Sequence, residues 1–342
     1  MAVNPRATLK DIAERLGISV TTVSRILNGR ADRYRISDKT AKAVFKVARE
    51  LNFSPNPLAR GLRLNKTQTI GLVIPDISNP FFASIARNVE SEARKRGYSV
   101  ILCDSEESID LEIESLALLQ SRKVEGLVVS PVGTADSHLR KFESANLPIV
   151  IVDRHFPDVS LPFVASDNFG GALEGVNHLV ENGHRNIACI QGLRCTMPNN
   201  ERVRGYRAAL ENHNIPFDES LIVGNSFGEE NGYIESKLLL KKRRDVTAVL
   251  ALSNLISLGV LRALGEEGLR VPDDISIVSF DEQPYSAYLA TPMSTVGQNS
   301  VEMGQIAVKL LFSQIESPHL SHKEGILLPT TLIKRESVKK LG

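Results

Sequence analysis

Tryptophan is absent from these 342 residues, cysteine occurs three times, and aromatic residues make up 5% of the chain. Each scarcity removes a class of protein. Cys103, Cys189 and Cys195 are too few for a disulfide framework and lack metal-ligand spacing, which points to a reducing cytoplasm. No apolar run approaches the roughly 20 residues that a membrane-spanning helix requires. The start, Met1-Ala2-Val3-Asn4-Pro5, has no apolar stretch of the signal-peptide kind, so secretion is not expected. His319 and His322 sit in a polar loop and read as solvated rather than metal-bound. Low-complexity tracts and internal sequence repeats are missing too. Neither a metal nor a cofactor is expected.

The chain also has little net charge, +1 from 41 Lys and Arg against 40 Asp and Glu, but the balance hides a segregation. Residues 1–66 hold 14 basic and 5 acidic residues, and the remainder holds 27 and 35. A compact basic head gains affinity for a polyanion by releasing its counterions, while an acidic body avoids the same polymer.

Within that head, Leu9, Ile12, Ala13 and Leu16 recur at the helical period. Gly17 then stops the run, since it takes positive φ without steric cost, and Ser19 is placed to cap a second helix. The inward face of that helix is Val20 or Val23 with Ile26 and Leu27, which leaves Thr21, Thr22, Ser24 and Arg25 outward. Two short crossed helices joined by a Gly turn form a helix-turn-helix, whose second helix enters the major groove of duplex DNA. A third run, Ala41, Val44, Phe45, Ala48 and Leu51, follows a cap in Ser37 to Thr40 and completes an all-α head over residues 1–56.

From residue 69 the pattern changes. Apolar runs at 70–75, 99–103, 126–130, 149–152, 186–191, 248–252 and 276–280 read as buried parallel strands. Amphipathic stretches at 82–96, 111–121, 172–181, 201–211 and 258–266 lie between most of them. This alternation predicts a doubly wound α/β architecture with ligands at the carboxyl ends of its strands, and its length favours two lobes.

The runs Thr8-Leu9-Lys10-Asp11-Ile12-Ala13 and Val23-Ser24-Arg25, with Ser54-Pro55-Asn56-Pro57-Leu58-Ala59-Arg60-Gly61-Leu62, resemble the lactose-repressor and purine-repressor family of bacterial transcription regulators. The resemblance extends over essentially the whole chain. It implies a homodimer on near-palindromic double-stranded operator DNA, with Thr8, Ser19, Val20, Thr21, Thr22, Ser24, Arg25 and Asn28 at the DNA. Arg25 is the expected base reader, because a guanidinium can bond guanine O6 and N7 together. Residues 57–68 are then a hinge helix and linker, with Ala59 against its dimer mate, Leu62 wedged between base pairs and Arg63 near phosphate.

For residues 69–342 the resemblance implies a two-lobed, periplasmic-binding-protein-like core that takes a small-molecule effector. One lobe spans about 69–166 with 299–327, the other about 167–298 with 328–342. Helices after Phe82 and Leu111 are the implied dimer surface, and the absence of a Leu heptad run after Glu336 argues against zipper-built tetramers. Asn79, Phe81, Phe82, Asp153, Arg154, Arg202, Phe227, Asn254, Asp281 and Gln298 are the implied effector contacts. Aromatic faces among hydroxyl partners suit a carbohydrate.

Two departures bear on the ligand. Asn254-Leu255 replaces a frequent Asn-Asp, and Thr196 and Pro198 stand where purine-binding members use Arg and Thr. A neutral or phosphorylated sugar is therefore favoured over a purine. A solute-binding protein with the same core, or a sugar-modifying α/β enzyme using Asp153 and Asp281, are the alternatives, but neither explains the basic head. Hence no enzyme activity is expected.

Overall fold

A computed structural model describes residues 7–27, 29, 31–51, 53, 67–133, 136–144, 147–156, 161–317 and 325–341. Asn28, Ala59, Leu62, Arg63, most of the expected hinge, His319 and His322 lie outside the described residues. The chain divides into two units, Met1–Thr67 and Gln68–Gly342.

In the first unit, α1 (Leu9–Leu16) begins at Thr8, whose hydroxyl accepts from Asp11 N while Asp11 accepts from Thr8 N at 2.6 Å. This reciprocal capping box satisfies two donors that the helix itself leaves open. Gly17, at φ 63°, ends the helix in the left-handed conformation that favours glycine. Ser19 accepts from Thr22 N at 3.1 Å, and α2 (Val20–Leu27) follows. A third helix, α3 (Asp38–Glu50), is capped by Ser37.

Ile12, Ala13, Val23, Ile26, Val44, Val47 and Ala48 bury themselves against one another and form the core of this unit. The choice at α2 therefore falls on Val23, and Val20 stays 43% exposed. Phe45, expected inward, is instead 46% exposed, and Val47 takes the buried position. Val44, Val47, Ala48 and the partly buried Leu51 fall at i, i+3, i+4 and i+7, and Phe45 lies off that stripe.

Two sheets of the same order make up the second unit. The first holds β1 (Thr69–Ile74), β2 (Ser99–Asp104), β3 (Leu127–Val129), β4 (Ile149–Val152), β5 (Phe163–Ser166) and a late strand, β11 (Gly325–Leu328), in the order β11-β5-β4-β3-β1-β2. Its mate holds β6 (Ile187–Ile190), β7 (Ile222–Val223), β8 (Ala248–Ala251), β9 (Ser276–Phe280), β10 (Ser294–Gly297) and β12 (Thr331–Ile333), in the order β12-β10-β9-β8-β6-β7. All pairings are parallel except β10 with β12.

Alternation along each strand assigns its residues to opposite faces. Ile70, Leu72 and Ile74 pack on α4 (Pro80–Lys95) and α11 (Ser300–Glu316), whereas Val73 packs with α5 (Ile109–Ser121). In the second sheet Leu250 and Val278 meet α7 (Asn168–Glu181) and α8 (Met197–Asn212). Val249 and Ile277 meet α9 (Glu229–Lys242) and α10 (Asn254–Glu266). A short α6 (Ser137–Ser144) places Leu139 beside α5.

Chain crossings between the sheets follow Ser166, Gly297 and Leu328. Leu328 pairs with Ser166, so the last crossing lies one residue beyond Leu327. In both sheets the strand order reverses beside the first strand, which opens a crevice at the carboxyl ends.

Candidate functional site

In the head, Val20 and Thr21 are exposed at the start of α2. Ser19 and Thr22 bond each other through their hydroxyls at 2.8 Å, and Thr8 is engaged with Asp11. Arg25 rests on an aromatic ring, its guanidinium carbon 3.8 Å from the centroid of Tyr34. Tyr34 closes a 3₁₀ turn, Asp32–Tyr34, which the sequence pattern did not reveal as part of the helix-turn-helix surface.

In the core, a cavity of about 250 Å³ opens at the strand ends. Asp153 follows β4 and Asp281 follows β9, so each stands after the fourth strand of its sheet. Both adopt positive φ, 62° and 71°. Both donate their backbone N–H to the neighbouring strand, Asp153 to Val164 O at 2.9 Å and Asp281 to Val296 O at 3.0 Å. Left-handed backbone at a non-glycine residue is uncommon and concentrates at ligand sites. The duplicated topology thus aims two carboxylates into one space from opposite lobes.

Two guanidinium groups accompany them. Arg154, 5% exposed, turns its fork onto Glu107, with Nη1 donating to Oε2 at 2.6 Å and Nη2 to Oε1. The expected Asp153–Arg154 pairing is looser, with Nε 3.8 Å from Oδ2. Glu107 is thus the principal partner of Arg154, and nothing in the sequence singles it out, because it lies in the turn after β2, beyond the apolar run at 99–103. Arg202, 3% exposed, donates from Nε to Asn168 Oδ1 at 2.7 Å and from Nη1 to Leu252 O at 2.6 Å, and lies over the Phe280 ring.

Burial pushes the Asp153 carboxyl up to about 6, Arg154 and Arg202 pull it down, and Asp281 and Glu107 add to the rise. Burial lowers Arg202 from its ordinary value. At Arg154 the Glu107 bonds outweigh burial and raise it.

The aromatic candidates divide. Phe81 and Phe82 form an edge-to-face pair at 5.1 Å; both belong to the core beneath α4 and line the cavity as well. Phe227 approaches from the other lobe and lies against Gly192, where a Cβ would fall 2.1 Å from the ring. Arg154 sits 5.9 Å from the Phe82 centroid and 5.4 Å from that of Phe227.

Asn79 caps α4 by accepting from Phe81 N at 3.0 Å and also accepts from Asn254 Nδ2 at 3.2 Å, a bond from one lobe to the other. Asn254 N donates to Asp281 Oδ2 at 3.3 Å, and Gln298 Nε2 donates to Asp281 Oδ1 at 2.5 Å. Nine of the ten expected contacts line the cavity, and Asn254 braces its wall through Asn79 and Asp281. Leu255 and Pro198 line it too, at the positions where the resemblance marked departures.

A basic helix-turn-helix unit and a second unit whose paired lobes enclose a polar, aromatic cavity define a transcription regulator with separate DNA-reading and ligand-holding parts. The model for bacterial regulatory proteins of the lacI family matches residues 8–56, and that for a periplasmic binding protein-like domain matches 176–338. The HTH-type transcriptional regulator DegA of Bacillus subtilis is 34% identical over 340 residues, 98% of this chain and 99% of its own. The ribose operon repressor of Halalkalibacterium halodurans is 33% identical over 332 residues, 97% of each. A lac repressor dimer bound to operator and the anti-inducer ONPF superposes with a TM-score of 0.86 at 28% identity, covering 97% of this chain and 99% of that one. The chain belongs to the lacI family of DNA-binding transcription regulators.

Proposed function

We propose that this regulator represses transcription by binding a near-palindromic operator as a homodimer and that a sugar held between Asp153 and Asp281 sets its affinity. The observation that carries the effector reading is the matched pair of buried, left-handed carboxylates facing one cavity with Phe82 and Phe227. Carboxylates accept from sugar hydroxyls, rings stack on the C–H faces of a sugar, and about 250 Å³ suits a small ligand. Ribose, which the relative from H. halodurans is named for, is the first candidate. We read the two carboxylates as hydroxyl acceptors and not as an acid/base pair.

The homodimer reading is supported by four apolar side chains that α5 leaves exposed in two pairs flanking its buried face, Ile109 with Ile113 and Leu111 with Leu118. In this reading Val20, Thr21 and Arg25 meet base edges, Leu62 unstacks a base step, Ala59 contacts its mate and Arg63 meets phosphate. Among the described residues no helix is long and apolar enough to cross a membrane. We place the protein in the cytoplasm on its cysteine usage and its DNA partner.

A thermal-shift screen of free sugars, nucleosides and nucleobases, followed by gel shifts on the positive compounds, tests the reading. A ligand that binds only the folded core raises its melting temperature. The expected outcome is a shift with a sugar and a change in operator affinity with the same sugar. Stabilisation by a nucleobase and by no sugar would overturn it.

A further inference from the structure

We propose that the cavity selects an unphosphorylated, hydroxyl-rich ligand and rejects the phosphate ester of the same sugar. The inference rests on the effector-site reading above and narrows it. Four carboxylates line the cavity, Asp76, Glu107, Asp153 and Asp281, against two cations among the described residues, Arg154 and Arg202. Both cations are engaged: Glu107 takes the Arg154 fork, while Asn168 and the Leu252 carbonyl take two of the three Arg202 nitrogens. A phosphate entering here meets carboxylates before it meets a guanidinium edge it can claim.

Unfilled hydrogen-bonding capacity has the same sign. Asp153 Oδ1 and Gln298 Oε1 are buried without a partner, and both are acceptors that line the cavity. They call for donors, which hydroxyls supply and a phosphate dianion lacks. Two of the helix starts at the cavity, the usual alternative for holding an anion, are taken up: Asn79 caps Phe81 N at α4, and at α10 Asp281 accepts from Asn254 N and Ser253 from Ile256 N, whereas α8 and α9 begin at Thr196 and Gly228 without a side-chain cap. At α8 the cavity is lined by Pro198, which has no N–H to offer.

The test compares matched pairs on the full chain at mildly alkaline pH: D-ribose with D-ribose 5-phosphate, and D-glucose and D-galactose with their 6-phosphates, read by thermal shift. The expected result is a rise in melting temperature with one free sugar and none with its ester at the same concentration. An ester that stabilises as well as or better than its free sugar would overturn this inference and leave the sugar-effector reading standing. If no member of any pair shifts the transition, the effector reading itself falls, and this inference with it.

A separate observation in the head carries a second inference: we infer that Tyr34 is the positioning residue for Arg25. Tyr34 is 40% exposed at the end of its 3₁₀ turn, and Arg35 leaves that turn at φ 52°. The Arg25 guanidinium, 3.8 Å above the ring centroid, is held by its face. Its N–H edge, the part that forms a bidentate bond with guanine, remains free to point along the groove. The stack removes side-chain freedom before DNA arrives, so the contribution of Tyr34 is to selectivity at the base that Arg25 reads.

Selection of operator fragments from a randomised pool, using the full chain, tests this. Tyr34→Phe keeps the ring and is expected to keep the wild-type base preference. Tyr34→Ala and Tyr34→Leu are expected to relax preference at the same base pair that Arg25→Ala relaxes, with the folded helical signal unchanged in the Leu variant. Wild-type preference in Tyr34→Leu, or loss of preference in Tyr34→Phe, would overturn the assignment.

Discussion

Asp153 concentrates the tension between stability and binding at the scale of one residue. Its carboxyl is buried, its pKa rises to about 6, and one oxygen has no partner. A folded-state pKa above the unfolded one means that the native state holds the proton more tightly, so ionisation destabilises the fold. The sign follows: as pH rises from about 4 to about 6 this group lowers stability, and above that range the penalty is constant. Asn tolerates the left-handed backbone and carries no charge. Asp153→Asn is therefore expected to melt higher than wild type at neutral pH, by about 2–4 °C for each 1 kcal/mol relieved, with the gain vanishing near pH 4. Melting curves across this range check it; a lower melting temperature at neutral pH would contradict it.

At the other end of the chain, Arg25→Ala should lose about 1–3 kcal/mol of specific binding and relax selectivity at one base pair, as read by titration of single-substituted operators. Much at this scale was legible. Asp281, Asp153 and Arg154 stood at the ends of continuous apolar strands, a position that already implies a site. Glu107 and Tyr34 were not legible, because each acts through a loop or turn whose course depends on tertiary packing rather than on any period.

Among the elements, helix pairs pack through glycines. A Cβ on Gly232 would fall 2.2 Å from Ile256 O, and one on Gly259 would fall 2.0 Å from Glu229 O, so α9 and α10 touch backbone to backbone. Backbone cannot swing aside as a flexible side chain can. Gly259→Ala is expected to destabilise the second lobe by about 1–3 kcal/mol or more, measured by denaturant unfolding. The long strands and the central parts of five helices followed from periodicity, but helix starts did not. The sequence pattern placed α7, α8 and α10 at 172, 201 and 258, whereas they begin at Asn168, Met197 and Asn254. Their first turns, Asn168–Gly171, Met197–Asn200 and Asn254–Ser257, mix apolar side chains with Asn, Gly, Pro and Ser, so no apolar period shows there. Strands β5, β7, β10, β11 and β12 were missed as well; length does not separate them from β3, β4, β6 and β8, but β7, β11 and β12 are sheet edges and β10 carries Ser294, Thr295 and Gly297.

For the whole molecule, charge and topology divide the labour. The basic head predicts that the logarithm of operator affinity falls linearly with the logarithm of salt concentration, with a slope set by the phosphates contacted. Twin sheets of one strand order, joined by three crossings, place a carboxylate from each lobe at one cavity, so a ligand held by both, as proposed, favours one relative position of the lobes. By linkage, whatever free energy the ligand contributes to that position is available to shift DNA affinity, and DNA shifts ligand affinity equally. The fold class was legible from alternating patterns and charge segregation, whereas the matched positions of Asp153 and Asp281 emerged only once the second sheet was seen to repeat the first.

The most direct measurement is operator affinity of the full-length protein with and without a sugar already found to raise its melting temperature, repeated with Asp281→Asn. The account predicts a change of about 5–150-fold for wild type, and for the variant a sugar-free affinity like wild type with no response to the sugar. Identical wild-type affinities with and without a bound sugar would contradict it.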